Sequence, residues 1–511
     1  MSPLRPLWPQ AHKSENSIYS AAVRAFLRRM NRRFFWKEIC WVGLMAFTPD
    51  VDAATFAAGD AESARKALAT AKPGDEVVLA AGEWKDVDLR LVGHGTATAP
   101  IVVRSDKPGG TVFIGASRIR LGGEHVTLSG VWMKDISGSK ADWLEFRIDS
   151  KLRAKHCRVI DCSFTESADF NPAEKESRWV GIYGQGNTLQ RCFFSGKKNK
   201  GTTVVVWLGG EDTGHHHLIG NHFGERPRLG KNGGEALRVG DSKSSMMDAE
   251  CLVEGNLFER CDGETECISN KSCGNVYRAN TFREVQGTLT LRHGNRCTVE
   301  GNFFLGNHRS TTGGIRIIGE GHRVLNNYLE GLEGDGFRSP IVLVKGIPGS
   351  PANGYFQVKE ATVAFNTIID CKYGLLVGYN DVKEATLAPS HCQFVGNVVM
   401  ARSAQSKILL IDAGSQEIDW HGNVFGGTTA VAEIPGIVWR DPGLSQSGDG
   451  LWRPSKGSPG LDSVEGASSI TRIDMDGDER GSPADAGADE LATGSTKSRP
   501  LTSKDVGPGW R

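Results

Sequence analysis

The chain has 511 residues, with 64 glycines and 23 % charged side chains, the composition of one large soluble domain. Its 60 acidic residues balance its 60 Lys and Arg, so no overall field draws it to nucleic acid or to a membrane. Affinity for a polyanion then has to come from a local basic cleft.

At the amino terminus, Met30-Asn31-Arg32-Arg33 and Lys37 precede the apolar run 39–47, and Val51-Asp52-Ala53-Ala54 follows. This is the pattern of a secretory signal peptide with an A-x-A-like end. Residues 1–54 are expected to be an extension plus signal, with translation starting at Met30 and the mature chain near Ala54 or Thr55. The apolar run is too short to span a bilayer. An exported protein, periplasmic or extracellular, is the expectation.

Eleven cysteines become ten once Cys40 leaves with the signal, a parity that permits disulfides without demanding them. Cys162 and Cys192 sit in similar turns just ahead of Phe164 and Phe193, and are expected to stack as small apolar residues. Cys267 and Cys273 lie in separate settings with no C-x-x-C pair, so no zinc site is expected. The side chains of His215, His216 and His217 diverge as consecutive residues must, which favours solvated or turn-capping roles over metal binding.

From Asn221 onward a marker recurs, an Asn followed within two positions by a large apolar residue: Asn221, Asn256, Asn280, Asn302, Asn327, Asn366, Asn397 and Asn423. The intervals are 35, 24, 22, 25, 39, 31 and 26 residues, a period in the twenties with insertions, which signals a solenoid. Each unit holds a short alternating stretch such as Thr288-Leu289-Thr290-Leu291, with no long helical periodicity between units. The leucine-rich consensus is absent. The expected fold is all-β, a right-handed parallel β-helix over residues 55–490 forming a single catalytic domain, with Asn and aromatic ladders at its turns.

Within the repeat, Glu266, Thr290 and Thr312 each lie ten residues after an Asn marker and are expected to stack. Leu289 and Leu291 should point inward and Thr288, Thr290 and Arg292 outward. The same register turns Glu264, Glu266 and Arg316 outward. Two carboxylates side by side on a strand face repel unless neutralised, and a hard divalent cation, Ca2+ above all, suits paired carboxylates plus an Asn carbonyl. Alone, Glu264 and Glu266 would read as a solvated strand face; the company of Lys271 and Arg292 argues for a site.

Towards the carboxyl terminus, Asp474-Met475-Asp476-Gly477-Asp478 resembles a calcium loop, but its glycine stands fourth where an EF-hand needs it sixth. A structural cap is expected there. Residues 491–511, rich in Ser, Thr, Lys, Pro and Gly, read as a disordered tail.

The run from Asn232 to Arg316 resembles polysaccharide lyase family 6, which includes alginate lyases and chondroitinase B. The resemblance implies calcium ligands at Asn232, Glu264 and Glu266, a general base at Lys271, a general acid or stabiliser at Arg292, and sugar contacts at His293 and Arg316. Glu235 is either a further calcium contact or a buried polar partner, and Arg238 either lines the cleft or forms a surface salt bridge. The implied reaction is β-elimination. The C5 proton of a uronate is removed, the C4 oxygen leaves, and negative charge builds on the neighbouring carboxylate, where a Lewis acid helps. Alginate is the expected substrate and dermatan sulfate the alternative; a non-catalytic carbohydrate-binding β-helix would keep the coils and lose nothing on Lys271→Ala. A β-helix glycoside hydrolase would need paired acids instead. No nucleic-acid partner is expected, and a monomer or weak homo-oligomer is.

Overall fold

Short apolar runs separated by glycine and asparagine form strands, most of them three residues long in the middle of the chain, that wind into a right-handed parallel β-helix. Three long sheets of 14, 13 and 14 strands make its walls, each coil advancing about 4.8 Å along the axis. The computed structural model describes residues 53–137, 142–172, 176–210, 213–380, 382–401, 403, 407–427, 433–491 and 498–511. The expected signal segment up to Asp52 lies outside the described residues. Residues 53–511 group as one unit, and among the described residues no helix is long and apolar enough to cross a membrane.

The inward rows are aliphatic. Leu237, Ile268, Leu289, Ile315, Ile341 and Leu375 stack in register, all fully buried. At the turn between two sheets the Asn markers form the expected ladder. Each Nδ2 donates to the Oδ1 of the next Asn, at 2.9 to 3.0 Å from Asn221 to Asn423. The residue before each marker supplies the bend with a positive φ, as at Ala279 (52°), Gly301 (60°), Asn326 (55°) and Phe365 (54°). Beside it Phe194, Phe223, Phe258, Phe282 and Phe304 stack with ring centroids 4.4 to 5.0 Å apart.

Cys162 and Cys192 occupy the head of this ladder, buried, and the Cys192 N–H donates to Asn221 Oδ1. All ten described cysteines are free and buried. A second ladder explains the histidine run: His216 is fully buried and its Nδ1 accepts the Asn187 N–H at 3.1 Å, while His215 faces Glu250 at the surface.

The helix Ala61–Thr70 closes the first coil, with Asp60 and Ser63 capping each other and Ala64, Ala67 and Leu68 buried beneath. The carboxyl-terminal cap packs along the outside. Val464, Ala484 and Ala486 cover Leu325, Phe365 and Val395, and Met475 and Ala488 cover Phe303 and Tyr328. Its acidic loop is closed by arginine: Arg453 reaches Asp449, Asp476 and Asp489 at 2.8 to 2.9 Å. Of the expected disordered tail, 491–511, residues 492–497 lie outside the described residues, and 498–511 are placed against the coils. Leu501 N donates to Thr281 Oγ1 and Trp510 Nε1 to Asp161 O, both within 2.9 Å, and Arg511 stacks on Trp132. The composition is that of a flexible segment, but backbone and indole donors find acceptors on the coils, Thr281 on the strand Thr281–Arg283 and Asp161 just after the strand Arg158–Ile160.

Candidate active site

The outer face of the sheet that holds the strands Glu266–Lys271 and Thr288–His293 carries an open cleft of ≈ 340 Å³. Asn232, Glu235, Arg238, Glu264, Glu266, Lys271, Arg292 and His293 all line it. Arg316 does not. It points outward as expected, but Phe337 and Tyr355 cover its guanidinium and leave it 4 % exposed.

Two loops bring the acidic residues together. Gly234 and Gly263 pack backbone to backbone; a Cβ on Gly234 would lie 2.3 Å from Gly263 O, and one on Gly263 2.1 Å from Gly234 O. Only glycine permits that approach. Beneath them the buried Arg226 donates to Glu235 O at 2.7 Å, Gly201 O at 2.9 Å, Asn199 O at 3.1 Å and Gly233 O at 3.3 Å, tying the loop that bears Asn232 to the coil below.

Glu264 Oε2 accepts the Gly233 and Gly234 N–H groups at 2.7 and 3.2 Å. Burial, reinforced by the charges of Glu235 and Glu266, nevertheless pushes its carboxyl up to about 7. Glu235 is buried and accepts from Thr202 Oγ1 at 3.0 Å while also lining the cleft beside Glu264, which is compatible with both of its expected roles. Glu266 accepts from Ser269 Oγ, and its Oε1 lies 3.7 Å from Arg292 Nε and 4.0 Å from Arg316 Nη1.

The strand Glu266–Lys271 is irregular at both ends, with register shifts between Glu266 and Ile268 and between Asn270 and Lys271. The expected stack of Glu266, Thr290 and Thr312 is corrected to Ser269, Thr290 and Arg316: the path from Glu259 to Glu266 is two residues longer than that from Arg283 to Thr288, which sets Glu266 opposite Thr288, and the first irregularity adds one more residue before Ser269. The second irregularity sets Lys271 opposite His293. It is pinned from inside by Asn270, whose Nδ2 donates to Ser272 O and His293 O, both at 2.9 Å, and whose Oδ1 accepts from Tyr277 Oη at 2.8 Å. His293 is 2 % exposed; burial, then the charges of Arg292 and Lys271, lower its pKa to about 3, so the ring is neutral at ordinary pH.

Arg292 is fixed by residues that sequence reasoning missed. Its Nη1 donates to Gly354 O at 2.6 Å and its guanidinium lies 4.2 Å over the Tyr355 ring, whose hydroxyl accepts from Arg316 Nη2 at 3.0 Å. Both missed features had a signal. The interval from Asn327 to Asn366, 39 residues, is the longest in the repeat and contains Tyr355; that from Asn221 to Asn256, 35 residues, contains Arg226. Long intervals are insertions, and here the insertions build the cleft walls.

Fold and cleft define a class: a parallel β-helix protein with a mixed acidic and basic groove on one sheet, suited to an extended anionic ligand. The family model described as Chondroitinase B matches residues 59–468. Among solved structures, the alginate lyase AlyGC of polysaccharide lyase family 6 is 33 % identical over 90 % of this chain, with a TM-score of 0.78. This chain spans 59 % of the length of AlyGC. A mannuronic acid specific family 6 lyase from human gut microbiota is 28 % identical, with 76 % of this chain and 91 % of that one covered and a TM-score of 0.68. A family 6 alginate lyase solved with a trisaccharide shares the fold at 22 % identity, 89 % and 95 % coverage and a TM-score of 0.68. A search of curated proteins gave no match. The chain belongs to polysaccharide lyase family 6.

Proposed function

We propose that the protein is an exported lyase that cleaves alginate by β-elimination to unsaturated uronate oligosaccharides. The observation that carries this reading is the convergence of Lys271 and Arg292 with the pair Glu264 and Glu266 in one cleft. An acidic pair alone would suit hydrolysis; an adjacent lysine amine as base and a guanidinium held by Gly354 and Tyr355 suit proton abstraction beside a carboxylate.

The donor set fits calcium. Asn232, Glu264 and Glu266 offer oxygen ligands, and the Glu264 carboxyl, raised by burial and then by the charges of Glu235 and Glu266, is one whose ionised form a divalent cation would favour. Among the described residues no three carboxylate, thiol or imidazole side chains form a metal cage, so the set would be open, completed by Asn232, solvent and substrate. When bound, calcium would neutralise the uronate carboxylate and favour loss of the C5 proton. Lys271 Nζ is the base that takes that proton; the electron pair left on C5 forms the C4–C5 double bond as the bond from C4 to the glycosidic oxygen breaks. The departing oxygen takes a proton from Arg292 or from water that Arg292 orients. Neutral His293, between them, can hydrogen-bond the sugar without adding charge.

Alginate is supported by the names of AlyGC and the gut lyase, and dermatan sulfate, the second reading, by the name of the matching family model. Export rests on the pattern of residues 30–54. The test is the ultraviolet absorbance of the new double bond, with mannuronate blocks, guluronate blocks and dermatan sulfate, each with calcium and with chelator. A rise on alginate that chelator abolishes supports the proposal; a rise on dermatan sulfate alone moves the substrate to the second reading, and silence on all three overturns both.

A further inference from the structure

Beyond Glu264 and Thr265, at the opposite end of the strand Glu266–Lys271 from Lys271, the cleft continues into a second hollow of ≈ 290 Å³. Asn232, Glu264 and Thr265 line both, so one extended ligand can occupy the two. Arg228, Lys231 and Arg338 dominate its far wall.

The two arginines are held in place by Gln286 and, among the described residues, form no ion pair. Arg338 Nε donates to Gln286 O at 3.0 Å and its guanidinium stacks 4.5 Å from the Phe337 ring, against which Arg316 also lies at 5.1 Å. Arg228 Nη2 donates to Gln286 Oε1 at 3.0 Å. The nearby carboxylates are committed elsewhere, Asp262 to Arg309 at 2.5 Å and Asp335 to Lys372 at 3.0 Å, while Glu264 belongs to the acidic pair of the main cleft. Burial, then the charge of Arg228, hold Arg338 below the usual arginine range. Guanidinium forks clustered without a matching carboxylate form a receptor for a planar or tetrahedral oxyanion.

We infer that this hollow is a second anion subsite, in which Arg338 and Arg228 grip a charged substituent of a sugar on the far side of the acidic pair from the bond that breaks. The ligand chemistry is a sugar-borne oxyanion, the carboxylate of a uronan or the sulfate ester of a sulfated glycan. The subsite rests on the polysaccharide reading above and adds to it a requirement for a longer charged chain. It also makes the 3-10 turn Gly336–Arg338 a specificity element.

The test is calorimetric titration of the full chain carrying Lys271→Ala, in calcium, with hexasaccharides of mannuronate, guluronate and dermatan sulfate. A carboxyl-reduced, neutral alginate hexamer serves as control. Adding Arg338→Gln or Arg228→Gln should weaken the charged hexamers about tenfold or more and leave the neutral one unchanged, with Arg338→Lys recovering part of the loss. Arg228 is exposed, so its variant keeps the fold. Loss on the mannuronate or guluronate hexamer assigns the subsite to carboxylate, and loss on the dermatan hexamer alone assigns it to sulfate. Unchanged affinity in both variants overturns the subsite and leaves the lyase reading standing. A parent that binds none of the charged hexamers overturns the polysaccharide reading and the subsite with it.

Discussion

At the scale of single residues, the proposed reaction separates groups that would react from groups that aim them. Lys271→Ala should lower turnover by roughly a hundredfold to ten-thousandfold while leaving the melting temperature near that of the parent, because Lys271 sits on the outer face of its coil; steady-state absorbance assays and thermal melts check it. Tyr355 aims rather than reacts, through the ring under Arg292 and the hydroxyl on Arg316. Tyr355→Ala should reduce kcat about tenfold or more by letting Arg292 drift. Tyr355→Phe keeps the ring and should keep most of the rate. If both variants lose equally, the hydroxyl rather than the stacked ring positions the pair.

At the scale of the coil, the turn ladders carry the stability. Asn302 donates to Asn327 Oδ1 and Tyr277 O, and its Oδ1 accepts from both nitrogens of Asn280, all at 2.9 Å. Asn302→Ala strands buried partners on two neighbouring coils, at about 1 to 3 kcal/mol for each group left unpaired, so the denaturation midpoint should drop clearly; a loss under about 1 kcal/mol would mean the ladder is decorative. The second ladder predicts acid sensitivity. His216 and His322 accept backbone N–H groups from Asn187 and Cys297, and burial holds their pKa values at about 3 and about 4. An unfolded histidine binds its proton near pH 6.5. Because the unfolded chain takes up protons that the folded chain refuses, stability is full above about pH 6.5 and falls as pH drops towards 4, by up to about 1.4 kcal/mol per unit for each ring. Asn187 and Asn275 fill the same accepting role with an amide. His216→Asn should therefore flatten the fall in melting temperature between pH 6.5 and 4.5.

At the scale of the whole molecule, a stack of near-identical coils is made specific by what departs from the repeat. The chain wraps its own carboxyl terminus back along the coils, from the cap on Phe365 to Trp510 beside Asp161. The cleft lies where two insertions rise over one sheet. The β-helix was legible in the spacing of Asn221 to Asn423, because a ladder of identical amides demands one Asn per coil and leaves a period that survives insertions. Glu264, Glu266, Lys271 and Arg292 were legible as a candidate cluster, since like charges on one strand face call for a neutralising partner, while the roles expected of Lys271 and Arg292 came from the resemblance to the family. What the spacing could not give was their alignment between coils: a longer connection after Glu259 set Glu266 opposite Thr288, and a tyrosine 39 residues beyond Arg316 covers that arginine. Composition misjudged residues 498–511 for the same reason, because a polar segment gains order from acceptors on distant coils. The sequence by itself determined the repeat and the candidate side chains; the tertiary structure alone decided which of them face the cleft, since that depends on the lengths of the connections between strands and on which loops fold over them.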